Sequence, residues 1–277
     1  MVLIADSGST KTAWCLSDGR RFKQFVTSGI NPYQMEVVEM VELLRMELLP
    51  ELNGQEVGPV WFYGAGCTAE KVGVVESALR EVFRVDTSVG SDMLGAARGL
   101  SGCEAGIVCI LGTGSNSCCY DGNDIVANVP PLGYVLGDEG SGAYIGRCLV
   151  GNCVKRQFSK ELCDLFFAET GLTTAEIVQR TYRESLPNRF LAGLSLFCAH
   201  HRDSSEVHDF LVGCFRAFLQ RNVSLYEGWR HLPVHFVGSI AWQYEEELRE
   251  TLERCGFRAG RIMKEPMAGL IEYHLKE

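Results

Sequence analysis

Near the amino terminus, Asp6-Ser7-Gly8-Ser9-Thr10-Lys11-Thr12 gathers one acid, one glycine, one lysine and four hydroxyls in seven positions. At one tip these types could hold a polyphosphate. Small residues let backbone N–H groups approach phosphate oxygens, the hydroxyls of Ser9, Thr10 and Thr12 can donate to them, and Asp6 at a strand end can hold Mg²⁺ directly or through water. The spacing is not that of a Walker loop. Gly, Ser and Thr also favour a plain polar β-turn, so this segment alone leaves both readings open. A second segment, Leu111-Gly112-Thr113-Gly114-Ser115-Asn116, repeats the pairing of glycine and hydroxyl between two strand-like runs. Two such turns at matching points of two similar halves are what a nucleotide clamped between domains would need.

The elements that must position these turns follow from periodicity. Short apolar runs at residues 2–5, 12–16 and 22–26, separated by polar turns, predict three antiparallel strands. Apolar residues Met35, Val38, Val41, Leu44 and Leu48 recur at helical spacing over 34–49, and Pro50 is expected to stop that helix. A strand at 60–63, a helix at 69–83, a strand at 84–89 and a short helix at 91–100 capped by Ser91 follow. The first half thus opens βββαβαβ. The pattern starts again with strand-like runs at 105–111, 117–120 and 124–128, an echo in element order more than in residue identity. Helices dominate 141–226. A strand at 234–237, a helix at 241–255, a strand at 260–263 and a helix at 266–275 close the chain.

Length, charge and cysteines bound the function. A chain of 277 residues fits two domains. A net charge of -9 argues against a nucleic-acid backbone as partner, because neutralising phosphates takes clustered Lys and Arg. Neither a signal peptide nor a membrane span is expected, and the cytoplasm is the expected location. The twelve cysteines are scattered among apolar neighbours without a C-x-x-C, so they read as reduced, buried thiols and not as a metal site.

With both hairpins in view, the chain resembles the actin-like ATPase and sugar kinase superfamily, and within it the N-acetylglucosamine kinase type, related in fold to the ATPase subunits of benzoyl-CoA reductases. The resemblance spans Leu3 to about Gly269. It is sharpest at Leu132-Gly133-Tyr134-Val135-Leu136-Gly137-Asp138-Glu139-Gly140-Ser141-Gly142, similar to the Gly-Asp-Glu-Gly-Ser motif of these kinases. The resemblance implies an α/β fold of two actin-like ATPase (ribonuclease H-like) domains with a cleft between them. Residues 1–102, joined by the helix at 266–277, would form the first domain and 103–265 the second. It implies an ATP-dependent kinase acting with Mg²⁺ on an amino sugar, N-acetylglucosamine at its 6-hydroxyl being the expected substrate, in a homodimer that binds neither nucleic acid nor membrane.

Roles carry over position by position. Asp6, Gly8, Ser9, Thr10 and Lys11 match the first phosphate loop, with Asp6 toward Mg²⁺, and Gly112, Thr113 and Gly114 match the second. Asp92 falls where the family keeps the aspartate that draws the proton from the sugar hydroxyl. Read without the family, Asp92 is a charge favourable to a helix N-terminus capped by Ser91. Asn31, Gly133, Tyr134 and Asp138 match sugar-holding positions, and Gly238 with Ser239 matches the adenosine turn. The sequence departs from the family at Ser7, where Gly is usual. It departs again at Pro130-Pro131-Leu132-Gly133-Tyr134, where Gly-Trp-Gly is frequent, and in a short run before Asn31.

Two other classes fit the same fold, an ATPase that drives a redox partner and a sugar or nucleotide sensor without turnover. His200-His201 reads as part of a solvated loop, Glu245-Glu246-Glu247 as a solvated helix face, and Trp242 as packing near the nucleotide turn or in the core. The helical insertion at about 155–226 is expected to pack on the second domain, with a dimer surface as the alternative.

Overall fold

A computed structural model describes residues 1–8 and 10–275. Strand β1 (Val2–Ser7) turns Leu3 and Ala5 into one apolar cluster and Ile4 into another, all three fully buried, so the strand is covered on both faces. It pairs antiparallel with β2 (Lys11–Ser17), which pairs antiparallel with β3 (Phe22–Ser28).

The helix expected over 34–49 begins later, as α1 (Val37–Leu43), because Glu36 and Glu39 form a reciprocal capping box there. Pro50 does not stop it. The chain passes through a π turn at Leu44–Leu48 into α2 (Leu49–Leu52), with Pro50 in the first turn of that segment. Proline has no N–H to donate, and the widened turn before it relieves the clash that a regular helix would impose. The helix ends instead at Asn53, whose φ of 50° is left-handed.

Strand β4 (Val60–Gly64), helix α3 (Val72–Phe83), strand β5 (Thr87–Ser91) and helix α4 (Asp92–Ser101) complete the run. The sheet order is β3-β2-β1-β4-β5, with β1, β4 and β5 parallel. Trp14 and Phe62 of the sheet pack with Met40, Leu44, Val75 and Leu79 on one face.

The second sheet repeats the opening hairpin with β6 (Gly106–Leu111), β7 (Ser115–Tyr120) and β8 (Ile125–Ala127). The short α5 (Gly133–Leu136) leads into α6 (Gly142–Val154), and the helical insertion follows as α7 (Lys160–Thr170), α8 (Thr174–Tyr182), α9 (Pro187–Leu194), α10 (Leu196–His200) and α11 (Ser205–Arg221). Phe166, Phe197, Phe215 and Phe218 of the insertion share one core with Ile107, Cys109 and Phe236 of the sheet.

Strand β9 (Pro233–Val237) is followed by α12 (Ser239–Gln243) and α13 (Glu245–Arg254) where one helix was expected. The break falls at Tyr244, whose buried hydroxyl donates to the Ser195 carbonyl at 2.6 Å. Strand β10 (Arg258–Met263) completes the order β10-β9-β6-β7-β8.

The chain divides into two compact units. The first comprises Met1–Glu104, Tyr120–Ile125 and the segment from Glu265 onward, and the second comprises Ala105–Cys119 and Val126–Lys264. The last helix, α14 (Met267–Leu275), therefore belongs to the first unit, where Met267 and Leu270 pack on Ile4, Cys15 and Tyr63. It crosses α4 at two glycines. A Cβ on Gly269 would lie 1.7 Å from the Gly99 carbonyl oxygen, so only glycine permits this approach. Among the described residues no helix is long and apolar enough to cross a membrane.

Helix α14 also carries a half-buried imidazole. His274 stacks on Trp61 at 4.3 Å, and its Nε2 lies 2.8 Å from the Tyr63 hydroxyl, which in turn accepts from Arg98 at 3.0 Å. Burial and the Arg98 charge push the His274 pKa down to about 4. A neutral imidazole in the fold and a titrating one in the unfolded chain mean that stability is lost as pH falls from 6.5 toward 4. His274→Phe keeps a stacking ring and removes the titration. The slope of unfolding free energy against pH over that window is expected to fall by up to about one proton in the variant, as chemical denaturation at several pH values would measure.

Candidate active site

Strand register gathers the first group of site residues. Ser7 pairs with Gly64, and Gly64 with Ser91, so the carboxyl ends of three parallel strands finish level with one another. Asp6, the loop after Gly64 and Asp92 are therefore neighbours at one sheet edge, the place where open α/β sheets bind ligands. The Ser7 carbonyl accepts from Ala65 N–H at 2.8 Å, which ties that loop to the first hairpin.

Within the hairpin, Gly8 N–H donates to the Lys11 carbonyl at 3.0 Å. Ser9 lies outside the described residues. Thr12 does not serve the phosphate role expected of its hydroxyl. It is fully buried, its Oγ1 lies 2.7 Å from the Ser7 hydroxyl and donates to the Ser28 carbonyl at 3.2 Å. Ser7 in turn bonds both the N–H and the carbonyl of Ile30. These two hydroxyls pin the hairpin to the strand beside it. Ser7 thus has a structural use, since its hydroxyl satisfies backbone groups that glycine would leave unmet.

Charge at this edge is out of balance. Desolvation, then the negative charges of Asp92 and Glu265, push the Asp6 pKa up to about 7, with Lys11 opposing them. The Lys11 ammonium is paired with Glu265 at 3.0 Å. Asp92 opens α4, where the Ser91 hydroxyl caps Leu94 N–H at 3.1 Å, and a carboxylate oxygen of Asp92 accepts from Met93 N–H at 2.8 Å. Burial raises the Asp92 pKa and these backbone bonds oppose the rise. The helix-cap arrangement and a carboxylate beside Asp6 are both present, so the one does not displace the other. Asn31 lies in the same unit, its Oδ1 accepting from Tyr33 N–H at 3.0 Å. A Cβ on Gly66, where φ is +80°, would come within 2.6 Å of that oxygen.

In the second unit, the turn Gly112-Thr113-Gly114 and the Asp138–Gly142 segment are bonded together. Gly142 N–H donates to the Gly112 carbonyl at 2.8 Å and Ala143 N–H to the Thr113 carbonyl at 3.1 Å. Asp138 holds a left-handed φ of 53°, accepts from Ser115 N–H, and stands so close that a Cβ on Gly114 would meet its Oδ2 at 2.9 Å. Its pKa is raised, first by burial. Asp138 is thus brought to the second hairpin.

Solved structures share this arrangement of elements along the whole chain. A candidate N-acetylglucosamine kinase from Porphyromonas gingivalis is 47% identical over 100% of this chain and 99% of its own, with a TM-score of 0.93. The chain belongs to the N-acetylglucosamine kinase type of the actin-like ATPase superfamily. A candidate N-acetylglucosamine kinase from Chromobacterium violaceum shares the fold at 17% identity and a TM-score of 0.72, each chain being 98% covered. So does a ROK family glucokinase from Streptomyces griseus, solved with glucose and AMPPNP, at 14% identity and a TM-score of 0.56, with 98% and 97% covered. No protein-family model matches the chain, and no curated protein does.

For a member of this kinase type, the remaining expected residues fall as follows. Gly238 follows β9 with φ of 123°, and a Cβ there would lie 2.3 Å from the Leu111 carbonyl oxygen, so the Gly238-Ser239 turn abuts the strand that feeds the second hairpin. Trp242 is half exposed, so of its two expected places the core is excluded, and its N–H donates to the Gly238 carbonyl at 3.0 Å, beside the Gly238-Ser239 turn. Gly133 and Tyr134 open α5, and the carbonyls of Tyr134 and Val135 both accept from Nη1 of Arg147, at 2.8 and 2.9 Å.

Sequence reasoning assigned nothing to Glu139, Glu265 or the Gly64–Gly66 loop. Glu139 is buried, and it accepts from Arg221 Nε at 2.5 Å and from Asn222 Nδ2 at 3.3 Å. It fastens the motif to the end of α11. The signal for Glu139 was its place in the Gly-Asp-Glu-Gly-Ser motif, but its partners lie more than eighty positions away, as the separation of 82 to Arg221 shows.

Proposed function

We propose that the chain transfers the γ-phosphoryl group of ATP to a hydroxyl of an amino sugar, with N-acetylglucosamine as the acceptor and its 6-hydroxyl as the site. The observation that carries this reading is the full-length 47% identity to a candidate N-acetylglucosamine kinase, joined to a desolvated Asp92 beside Asp6 at the sheet edge. Asp92 accepts the proton of the attacking hydroxyl. Phosphoryl transfer has a loose transition state, so a base that takes the proton late suffices, and most of the acceleration comes from position and charge.

Mg²⁺ fits the residues present. Burial first, and then the negative charges of Asp92 and Glu265, hold the Asp6 pKa at about 7, and a divalent cation would relieve the part that comes from charge. Among the described residues no group of three or more His, Cys, Asp or Glu could hold a metal by itself. That suits an ion bound through one carboxylate, waters and substrate phosphates. Bound there, Mg²⁺ neutralises phosphate charge. Asp6 would hold it, and Gly8, Ser9, Thr10, Lys11, Gly112, Thr113 and Gly114 are the proposed phosphate residues. Gly238 and Ser239 take the adenosine, while Asn31, Gly133 and Tyr134 hold the sugar. Asp138 supports the second hairpin in addition to any sugar contact. The same reading places the enzyme in the cytoplasm as a homodimer, with residues 1–102 and 103–265 as its domains and the final helix completing the first.

The deciding assay is ADP release with Mg²⁺ and N-acetylglucosamine, glucosamine, N-acetylmannosamine, glucose or water as acceptor. Turnover is expected to be highest with N-acetylglucosamine and slow with water. Equal turnover with water alone would replace the kinase by an ATPase, and no turnover with any acceptor would leave a sensor.

Thr113→Val tests the second hairpin separately. The variant keeps the side-chain shape and deletes one hydroxyl, so ATP affinity is expected to fall by about 0.5–1.5 kcal/mol at unchanged melting temperature. Titration calorimetry that found wild-type affinity would return this turn to a plain structural role.

A further inference from the structure

The second unit contains a cavity of about 510 Å³ between α6, α8 and α9, walled by Val150, Ile177, Val178 and Leu191. Its size is that of a small-molecule site. Two cationic residues, Arg147 and Lys155, line it, and among the described residues no acidic one does. In a chain of net charge -9, an apolar cavity with two cations and no carboxylate is electrostatically distinct.

We propose that this cavity binds an amphipathic organic anion, a compact apolar body with one acidic head group. Burial of the apolar body against the valines, isoleucine and leucine supplies affinity, and the two cations select the head group. A neutral or cationic body of the same size would bury the same surface without that attraction. The site is joined to α5. Arg147 spends Nη1 on the Tyr134 and Val135 carbonyls, and both of those residues also line the cavity. A guanidinium has five N–H donors, so an anion can share Arg147 with the α5 backbone. Occupancy would then be felt at Tyr134. This last step rests on the reading of Tyr134 as a sugar residue, whereas binding itself does not.

The probe is 8-anilinonaphthalene-1-sulfonate, an aromatic anion whose fluorescence rises in apolar surroundings. One saturable site is expected, displaced by decanoate and not by decyltrimethylammonium, which has the same chain length and the opposite charge. Lys155→Glu and Val178→Asp change exposed positions and should leave the melting temperature unchanged while weakening probe binding about tenfold or more. Val38→Asp, exposed in the first unit, should have no effect. Displacement by the cation as strong as by decanoate, or binding that neither variant weakens, would overturn the proposal. A wild-type dimer that excludes the probe and is dissociated by Val178→Asp in sedimentation would also overturn it, assigning this face to a second copy of the chain. In the kinase assay, saturating decanoate is expected to shift KM for the sugar and not for ATP, with the shift absent in Lys155→Glu. An unchanged sugar KM alongside intact probe binding would remove the link to α5 and leave the site.

Discussion

Asp92→Asn is expected to lower turnover by about 10² or more while ATP affinity barely changes. The replacement is nearly isosteric, and its amide oxygen can still accept from Met93 N–H, the bond that the carboxylate makes at 2.8 Å. The Ser91 cap on Leu94 is untouched, so α4 should persist. What disappears is the capacity to take a proton. Steady-state kinetics with calorimetry on the same preparation would separate the outcomes, because a merely structural Asp92 predicts lost stability with near wild-type turnover per folded molecule. A second check comes from charge. Asp92 also raises the Asp6 pKa, so its neutral replacement should make the free protein tolerate an ionised Asp6 more easily.

Asp6→Asn is expected to do two opposite things, abolishing most activity and stabilising the protein that has no ligand. Loss of a preorganised charge contact in a phosphoryl-transfer site costs on the order of 10²–10³ in rate. The stability effect follows from the pKa. In the unfolded chain Asp6 titrates near 3.8 and in the fold at about 7, so the proton is favoured by folding. The fold loses stability as pH rises from 3.8 through about 7, and carries the full penalty above that. A shift of about three units is worth ~4 kcal/mol at most. Asn escapes the penalty, so the variant should gain nothing below pH 4 and the most near pH 8. Melting curves across that range test the sign. A variant destabilised at pH 8 would mean that Asp6 makes favourable contacts outweighing its desolvation.

Much of this geometry could be read in the chain, and the failures have physical causes. Alternating strands, both glycine-rich hairpins, the Ser91 cap and the repeated order of elements are local patterns, and local patterns survive in sequence. The path through Pro50 was not legible, because proline usually ends helices and the π turn that accommodates it has no residue signature. Thr12 and Ser7 belonged to a hydroxyl-rich run in which composition could not say which side chains face inward. Register decides that, and it depends on pairing across the sheet. Asp138 adopts a left-handed φ, which aspartate visits more readily than most residues, yet the bond from Ser115 N–H that accompanies it depends on tertiary structure. The Glu139 link to Arg221 and the Glu265 link to Lys11 join positions that only tertiary structure brings together. Identity over the full length to a solved relative is what converts this partial legibility into a family assignment.

The glycine crossing of α14 on α4 has a consequence for how the protein is made. A ribosome delivers Asp6 and Asp92 early, yet the cluster of Ile4, Cys15 and Tyr63 closes only when Met267 and Leu270 arrive. Until then the part of that face beneath Met267 and Leu270 lacks its cover, although Leu94 of α4 already packs there, and α4, whose first residue is Asp92, has nothing to cross. The nascent first unit must therefore wait with exposed apolar surface through the synthesis of the whole second unit, a state prone to aggregation and suited to chaperone binding. Functional competence in this sense waits on a helix made long after the residues it supports.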